Sequence, residues 1–567
     1  MKIRHIAIRN YRGIKELDWK VSGDCICFIG AGDSTKSTIL DAIESALTPR
    51  WNSVFEDTDF YNLDVSQPIN ITLTIGQLPE SFLSEQKYGL FLRGWSPQSE
   101  LHDEPIEGDE LVISVSLQVG KDLEPKWLII NDRMPDERRI SSADRGLLGV
   151  SRLGSYTNKH LSWSTGSALS AMTGEDVKLN DLMAEAVRKI RSEINVNSLE
   201  EIAKVVEQAK KLGEALGVVS KNKIEAHLDI KKISVKESGV SLHDGNVPLR
   251  LSGSGTQRLM GLALQTGLQD KGGISLIDEI EYGLEPHRIL QVVSLLKEKT
   301  GSIGQVFLTT HSPCVLQELG VNSLKVVFSE NGITRIEDIV DDSEGTYQSL
   351  MRSNPFAFLA KRIIVCEGKT EIGFLRGIDK WWQENGKRGV WSYGVVAVYG
   401  GGDDKSFTMA KYFQKLKYQV LWWGDSDVPS TVGKKNELRT AGITVVDWAD
   451  SLNIEGRIFK DLPWGKVQDL MRIMSDLCGE QSVVDQVKSF KTDIQSSYAQ
   501  WQDSPEIREA LGKASHKKSW YKDISTGESV GTIVSKCLMD ISSTDLYTKI
   551  EMIRKWVNPD EYRENPS

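Results

Sequence analysis

Residues 363–371, IIVCEGKTE, and residues 420–427, VLWWGDSD, are two apolar runs that each end in acids. The first is rich in β-branched residues, which favour a strand over a helix core. It delivers Glu367 and, beyond Gly368, a second acid, Glu371. The second run delivers Asp425 and Asp427. Extended chain repeats every two residues, so these two aspartates are expected to point to the same side. An acid ending one strand and an Asp-x-Asp pair ending the next converge at the edge of a parallel sheet. Hard oxygen donors grouped this way, with no His or Cys counted among them, suit Mg²⁺ or Mn²⁺ rather than zinc. Surface acids at strand ends are common, so the spacing of all four carries the reading.

A second set of motifs precedes this one. Residues 26–40, ICFIGAGDSTKSTIL, read as a strand, a Gly-containing turn and a helix start. Gly30, Lys36 and Ser37 fit a G-x-x-x-x-G-K-[ST] phosphate loop, in which backbone N–H groups and the lysine cradle phosphates and the serine holds Mg²⁺. Thr35 stands where the second glycine belongs, and a β-branched residue there restricts the backbone. Residues 251–258, LSGSGTQR, match a signature loop that reads the γ-phosphate of ATP on an opposite subunit, through Ser252, Gly253 and Gly255. Residues 274–279, ISLIDE, form an apolar strand ending in Asp278, expected to support Mg²⁺, and Glu279, expected to orient the attacking water. Residues 306–313, VFLTTHSP, place His311 at a strand end, as a switch histidine or as a satisfied terminal residue. In the opening AIRNYRGIK, Arg12 is a candidate nucleotide contact, with a salt-bridged surface arginine as the alternative.

Together these segments resemble an ATP-binding-cassette ATPase of SMC and RecF type followed by a Toprim domain. That arrangement is similar to the OLD (overcoming lysogenization defect) nucleases, the group that includes the ATPase-nuclease subunit of Gabija defence systems and retron-associated nucleases. The resemblance covers nearly the whole chain. It implies a metal-dependent DNA endonuclease or nickase under ATP control, using two Mg²⁺ or Mn²⁺ ions for in-line attack on the scissile phosphate, and ATP with Mg²⁺ at the ATPase. It carries metal binding to Glu367, Glu371, Asp425 and Asp427, and also to Glu455 in the Asn453-Ile454-Glu455 triplet, with Asp461 as a weaker substitute. It carries a catalytic lysine to Lys522 in KKSWYKDISTGE (517–528), where a solvated or DNA-contacting lysine is the plainer reading. It further implies phage defence and either a UvrD-like helicase or a retron reverse transcriptase with its msDNA as partner. A topoisomerase would need a nucleophilic tyrosine domain and a primase a zinc module, and neither is recognisable. A RecF-like clamp that binds DNA without cutting it accounts for the ATPase but not for the extra acids.

The composition permits this reading without advertising it. A chain of 567 residues, 40% hydrophobic and 26% charged, is expected to form several globular domains. A net charge of −10 is unusual for a nucleic-acid binder, although global charge is a weak guide to local potential. Lys361-Arg362, Lys434-Lys435 and Lys517-Lys518 are candidate phosphate contacts, with solubilising surface lysines as the default. The six cysteines show no zinc spacing and are expected to be reduced thiols of a cytoplasmic protein. No run approaches membrane-span length and no signal peptide is recognisable.

Along the chain, residues 1–160 are expected to form the first part of the ATPase, with strands at 70–80 and 111–118. Residues 161–225 hold apolar residues at helical spacing and form a helical dimerisation insert. Strand-like residues over 226–345 complete the ATPase, and residues 356–567 form the Toprim domain, after a polar stretch that meets Pro355. Ten of the fifteen tryptophans lie beyond residue 380, and Trp381, Trp382, Trp422 and Trp423 are expected in the core rather than stacking on bases. Residues 394–402, GVVAVYGGG, lead a strand into three glycines, either a tight turn or a place where a ligand backbone approaches closely. A helix over 406–417 follows. One phosphate loop and one signature loop per chain predict at least a homodimer, or a homotetramer, with reciprocal composite sites.

Overall fold

A computed structural model describes residues 1–559 except 50–52, 85–86, 135–136, 155–159, 164–166, 270–272 and 300–303, most of 174–197, and most of 216–239. The chain is mixed α/β and forms two compact units. One comprises Met1–Phe28, Thr35–Leu319 and Ser329–Arg335, the other Ile29–Ser34, Gly320–Phe328 and Ile336–Ser567.

In the first unit, the strands Val150–Leu153, Ile274–Ile277, Gln305–Thr309 and Cys25–Ile29 lie side by side and parallel. The last three are buried along their whole length, as strands covered on both faces must be, and so read as unbroken apolar runs. An antiparallel set belongs to the same 14-stranded sheet. There Lys2–Tyr11 pairs with Ile14–Lys20 on one side and Ile69–Gly76 on the other, and Ile69–Gly76 pairs with Glu110–Val119. The expected strands at 70–80 and 111–118 are thus present. Among its described residues, the region from 240 onward is not mainly strand. It carries the helices Ser254–Gln269 and Pro286–Lys299, because parallel strands need crossover connections that the apolar strand runs alone did not reveal. In the expected helical insert, Glu200–Ala215 is a helix, while most of the segment LNDLMAEAVRKI lies outside the described residues.

The second unit is built on a four-stranded, wholly parallel sheet. Its order across the sheet is Val395–Tyr399, Arg362–Cys366, Gln419–Gly424, Thr444–Asp447. The chain therefore leaves its first strand to one side, returns, and continues on the other. The carboxyl ends of Arg362–Cys366 and Gln419–Gly424 flank the point where the winding reverses, the crevice in which open α/β sheets place their ligands. Trp422 and Trp423 are fully buried, Trp382 is buried and Trp381 partly so, all as core. The glycine turn leads into a helix that starts at Asp403, three residues earlier than its apolar spacing suggests, and ends at Lys415. The polar stretch before Pro355 holds a short helix, Thr346–Ser353.

Two helices that matter for the site touch through glycines. Lys369–Glu384 carries Gly373 and Gly377, and Ile524–Ser535 carries Gly527 and Gly531. A Cβ added at Gly527 would lie 2.8 Å from the Thr370 carbonyl oxygen and 3.2 Å from Gly373 Cα. Only glycine permits this approach of two backbones. It docks the start of the second helix, just after Lys522, against the first turn that holds Glu371. The Thr370 hydroxyl seals the junction by donating to the Tyr521 carbonyl at 2.9 Å.

Candidate metal centre and nucleotide-binding loop

Glu367 follows the first strand and Asp425 the third, at the winding reversal. The Glu367 N–H donates to the Trp423 carbonyl at 2.9 Å, and the Asp425 N–H donates to Glu367 Oε2 at 2.9 Å. These bonds carry the ladder one step past the strands and lock the two acids to each other. Glu371 stands in the first turn of its helix, where its Oε2 accepts from the Gly368 N–H at 3.0 Å. Asp425 Oδ1 accepts from the Ile454 N–H at 2.8 Å and Asp427 Oδ2 from Asn453 Nδ2 at 3.2 Å. Both aspartates thus accept from residues at the same helix start, although they follow the strand end at Gly424 and lie outside the strand. Glu455, the next residue of that helix, has a fully buried side chain, and its Oε1 lies 2.9 Å from Lys522 Nζ.

Burial and mutual repulsion dominate the electrostatics. Burial first, then Glu371 and Asp403 nearby, push Glu367 up to about 8. Burial and the charge of Glu455 push Glu371 up to about 7. Asp425 is also raised, by burial and then by Glu371, Glu455 and Glu367. Glu455 goes the other way. Burial raises it, but His516 and Lys522 beside it together outweigh that and hold it low. Lys522 is raised by Glu455 against the effect of its own burial. One ammonium does not balance this many buried carboxyls. A divalent cation fits the charge deficit, and the donors fit it chemically. Asp425, Glu455 and His516 each offer one ligand atom, all within 4.8 Å of one another.

The structure corrects the sequence reading at one histidine and locates two residues that the sequence left open. A histidine does belong to the cluster: His516 Nδ1 lies 3.4 Å from Glu455 Oε2. Asp461 is elsewhere, paired with Arg457 at 3.2 Å and accepting from the Leu546 N–H. Arg362 sits at the opposite end of its strand and donates to the Trp556 carbonyl. Asp403 was also missed. It acts on Glu367 from the helix start after the glycine turn, a position that a Gly-Gly-Asp sequence at a strand end could have signalled. That turn is tight, with the Gly402 N–H donating to the Glu367 carbonyl at 3.0 Å. Of the basic candidates, Lys435 is buried and donates to the Asp425 carbonyl at 2.5 Å, and Lys434 pairs with Asp404. A cleft of about 1000 Å³ opens beside Asp427 and His516, lined in part by Lys460, Phe490, Arg508 and Lys517.

The phosphate-loop motif folds as a strand–turn–helix. Gly30 adopts φ 129°, open to glycine, and the helix begins at Lys36. Thr35 adopts φ 68°, ψ 14°, the left-handed conformation the motif reserves for glycine and a β-branched residue rarely enters. Its hydroxyl lies 3.1 Å from that of Thr334. The Ser37 hydroxyl donates to Asp278 Oδ1 at 2.9 Å, so the two expected Mg²⁺ supports are adjacent. Thr309 and Arg152 also bind Asp278, at 2.7 and 2.8 Å. Arg12 pairs with Asp41 and Asp59. Glu279 has φ 47° and its N–H donates to Thr309 Oγ1. His311 is exposed, its N–H donating to Glu281 Oε1 at 2.6 Å. Ser252 caps the Leu249 carbonyl, Gly253 precedes the helix that begins at Ser254, and Gly255 lies so close to Gly283 that a Cβ would sit 3.0 Å from its carbonyl. Arg258 was not singled out from the sequence. It is buried and donates to the carbonyls of Gly154, Asp278 and Glu279, clamping the signature helix to the acidic strand end.

The profile of the family described as AAA domain, putative AbiEii toxin, Type IV TA system matches residues 25–317, just over half of the chain, and the chain belongs to that family. Its ATPase motifs therefore sit in an ATPase domain. Solved structures to which the chain shows some similarity include the SmcHead bound to the C-winged helix domain of ScpA, 15% identical, covering 60% of this chain and 98% of its own, at a TM-score of 0.35. The SMC head domain from Thermotoga maritima is 13% identical, with 60% and 100% covered and a TM-score of 0.30. The Smc head domain with an extended coiled coil bound to the C-terminal domain of ScpA, from Pyrococcus furiosus, is 13% identical, with 61% and 98% covered and a TM-score of 0.33. No curated protein matches the chain. Among the described residues, no helix is long and apolar enough to cross a membrane.

Proposed function

We propose that the second unit is a Toprim-type, divalent-metal-dependent DNA endonuclease or nickase of the OLD class, controlled by the ATPase domain. The observation that carries this reading is the cluster of Glu367, Glu371, Asp425 and Glu455 at the winding reversal of the parallel sheet, with Lys522 against it. Asp425 and Glu455 would hold the ions, with Glu367, Glu371 and Asp427 completing the set. When bound, two such ions polarise a scissile phosphate, generate the nucleophile and stabilise the leaving 3′-oxygen. Lys522 would neutralise charge that develops on the phosphate in the transition state. The backbone N–H groups of Gly368 and Ile454 fix the orientation of their carboxylates and so preorganise the site.

In the ATPase domain, Lys36 serves the phosphates of ATP, Ser37 and Asp278 its Mg²⁺, and Glu279 the attacking water. The signature loop, Ser252 to Gly255, acts on ATP held by a second copy, so the working form is at least a homodimer. The family's description names a putative toxin, and a nuclease under nucleotide control suits anti-phage defence, alone or with a helicase or reverse-transcriptase partner. Incubation of supercoiled plasmid with protein and Mg²⁺ or Mn²⁺, with and without ATP and with EDTA as control, tests the reading. Nicked or linear product that disappears with EDTA supports it. Stable ATP-dependent retention of uncut plasmid would instead identify a RecF-like clamp.

A further inference from the structure

His516 lies on the helix Pro505–Lys517, far in sequence from every acid of the candidate site. Its placement over Glu455 is built in. Gly512 on that helix meets Gly456 on the helix Ile454–Asp461, so closely that a Cβ at Gly512 would sit 3.0 Å from Gly456 Cα. Such a crossing, backbone against backbone, fixes the height of His516 above Glu455. The Glu455 carboxylate is divided between two partners. Lys522 meets Oε1 at 2.9 Å, and His516 Nδ1 faces Oε2 at 3.4 Å. The second distance is long for a hydrogen bond from a ring N–H to a carboxylate, which closes to about 2.7–3.2 Å. It falls within the separations of about 3 to 4.2 Å that two ligands span when an ion sits about 2.1 Å from each. Asp425 supplies a third donor within the same 4.8 Å span.

We propose that His516 is a nitrogen ligand, with Asp425 and Glu455, to one divalent ion of this site, and that it biases that position toward Mn²⁺ over Mg²⁺. The inference rests on the metal-site reading above and deepens it. Mg²⁺ is hard, holds its water tightly and takes oxygen donors, whereas imidazole suits first-row transition ions. A site of two carboxylates and one imidazole discriminates by that difference in softness. Lys522 keeps Oε1, so the carboxylate stays oriented while Oε2 turns to the ion.

The test is binding of Mn²⁺ to the full-length protein without DNA or nucleotide, read by pulsed electron paramagnetic resonance for ¹⁴N coupled to the ion. His516→Gln keeps a hydrogen-bonding group beside Glu455 but removes the imidazole, and Asp425→Asn reports whether the signal comes from this site. Wild type should show coordinated ¹⁴N, and both variants should lose it. His516→Gln should weaken Mn²⁺ binding at least tenfold, while Mg²⁺ binding, measured by competition, changes less than twofold. Mn²⁺ bound with no ¹⁴N coupling in wild type, or coupling that persists in His516→Gln, would overturn the role of His516 and leave the metal site standing. Absence of Mn²⁺ binding altogether would overturn the metal-site reading and this one with it.

Discussion

Lys522 Nζ lies 2.9 Å from Glu455 Oε1, and the carboxylate side chain is fully buried while the lysine is 39% exposed. Removing the lysine leaves a buried carboxylate with only His516 beside it, which costs more than losing an exposed pair but less than losing a wholly enclosed one, about 1–3 kcal/mol. Lys522→Met is therefore expected to lower stability by that amount in urea unfolding. It should also cut DNA cleavage at least a hundredfold, while Glu455→Gln in the same background restores stability but not cleavage. A Lys522→Met variant with wild-type turnover would remove Lys522 from the site.

Glu371 gives a pH dependence whose sign follows from its raised value. Between its ordinary value and about 7 the folded state binds more protons than the unfolded one. The stability it contributes is therefore present at low pH and lost as pH rises through that window. Metal-free wild type should lose stability from pH 5 to pH 8 relative to Glu371→Gln, which has no charge to bury. Added Mn²⁺ should raise Tm by several degrees more at pH 8 than at pH 5, because the ion competes with the proton. Parallel stability–pH curves for the two proteins would contradict this electrostatic account.

Gly527 sets the approach of the helix that follows Lys522. Gly527→Val forces atoms against the Thr370 carbonyl and should cost about 1–3 kcal/mol, in the range of core overpacking. It should also displace Lys522 from Glu455. Cleavage falling while nucleotide binding is unchanged, measured on the same preparation, is the expected pair of results.

Thr35 is the departure from the phosphate-loop pattern, and it sits in the conformation that glycine adopts freely. Thr35→Gly relieves about 1 kcal/mol of backbone strain but loosens the unfolded chain by a similar amount, so stability should barely move. ATP affinity, measured by titration calorimetry, should rise several-fold. Unchanged or weaker ATP binding would show that Thr35 is compatible with the nucleotide as it stands.

The fold and site were legible in the sequence where the chemistry lies on contiguous residues. The strand ends carrying Glu367 and Asp425, the two loop motifs and the buried Trp422-Trp423 pair all follow from apolar runs and local spacing. What escaped is set by tertiary placement. His516 joins the site through a glycine crossing between helices, and no periodicity near Glu455 announces it. Arg258 works through backbone carbonyls, which leave no mark in a side-chain pattern. The helices after residue 250 were masked because their apolar faces read like strands when the crossover requirement is ignored.

In the proposed function, buried carboxylates at the sheet reversal bind metal ions that cut DNA. The most direct measurement compares wild type and Asp425→Ala on the same supercoiled plasmid with Mn²⁺, with DNA binding measured by filter retention and ATP binding by calorimetry. The account predicts nicking or linearisation by wild type, at least a thousandfold less by Asp425→Ala, and equal DNA and ATP binding by both. Equal cleavage by the two proteins, or no metal-dependent cleavage by wild type with any ATP concentration, would contradict it.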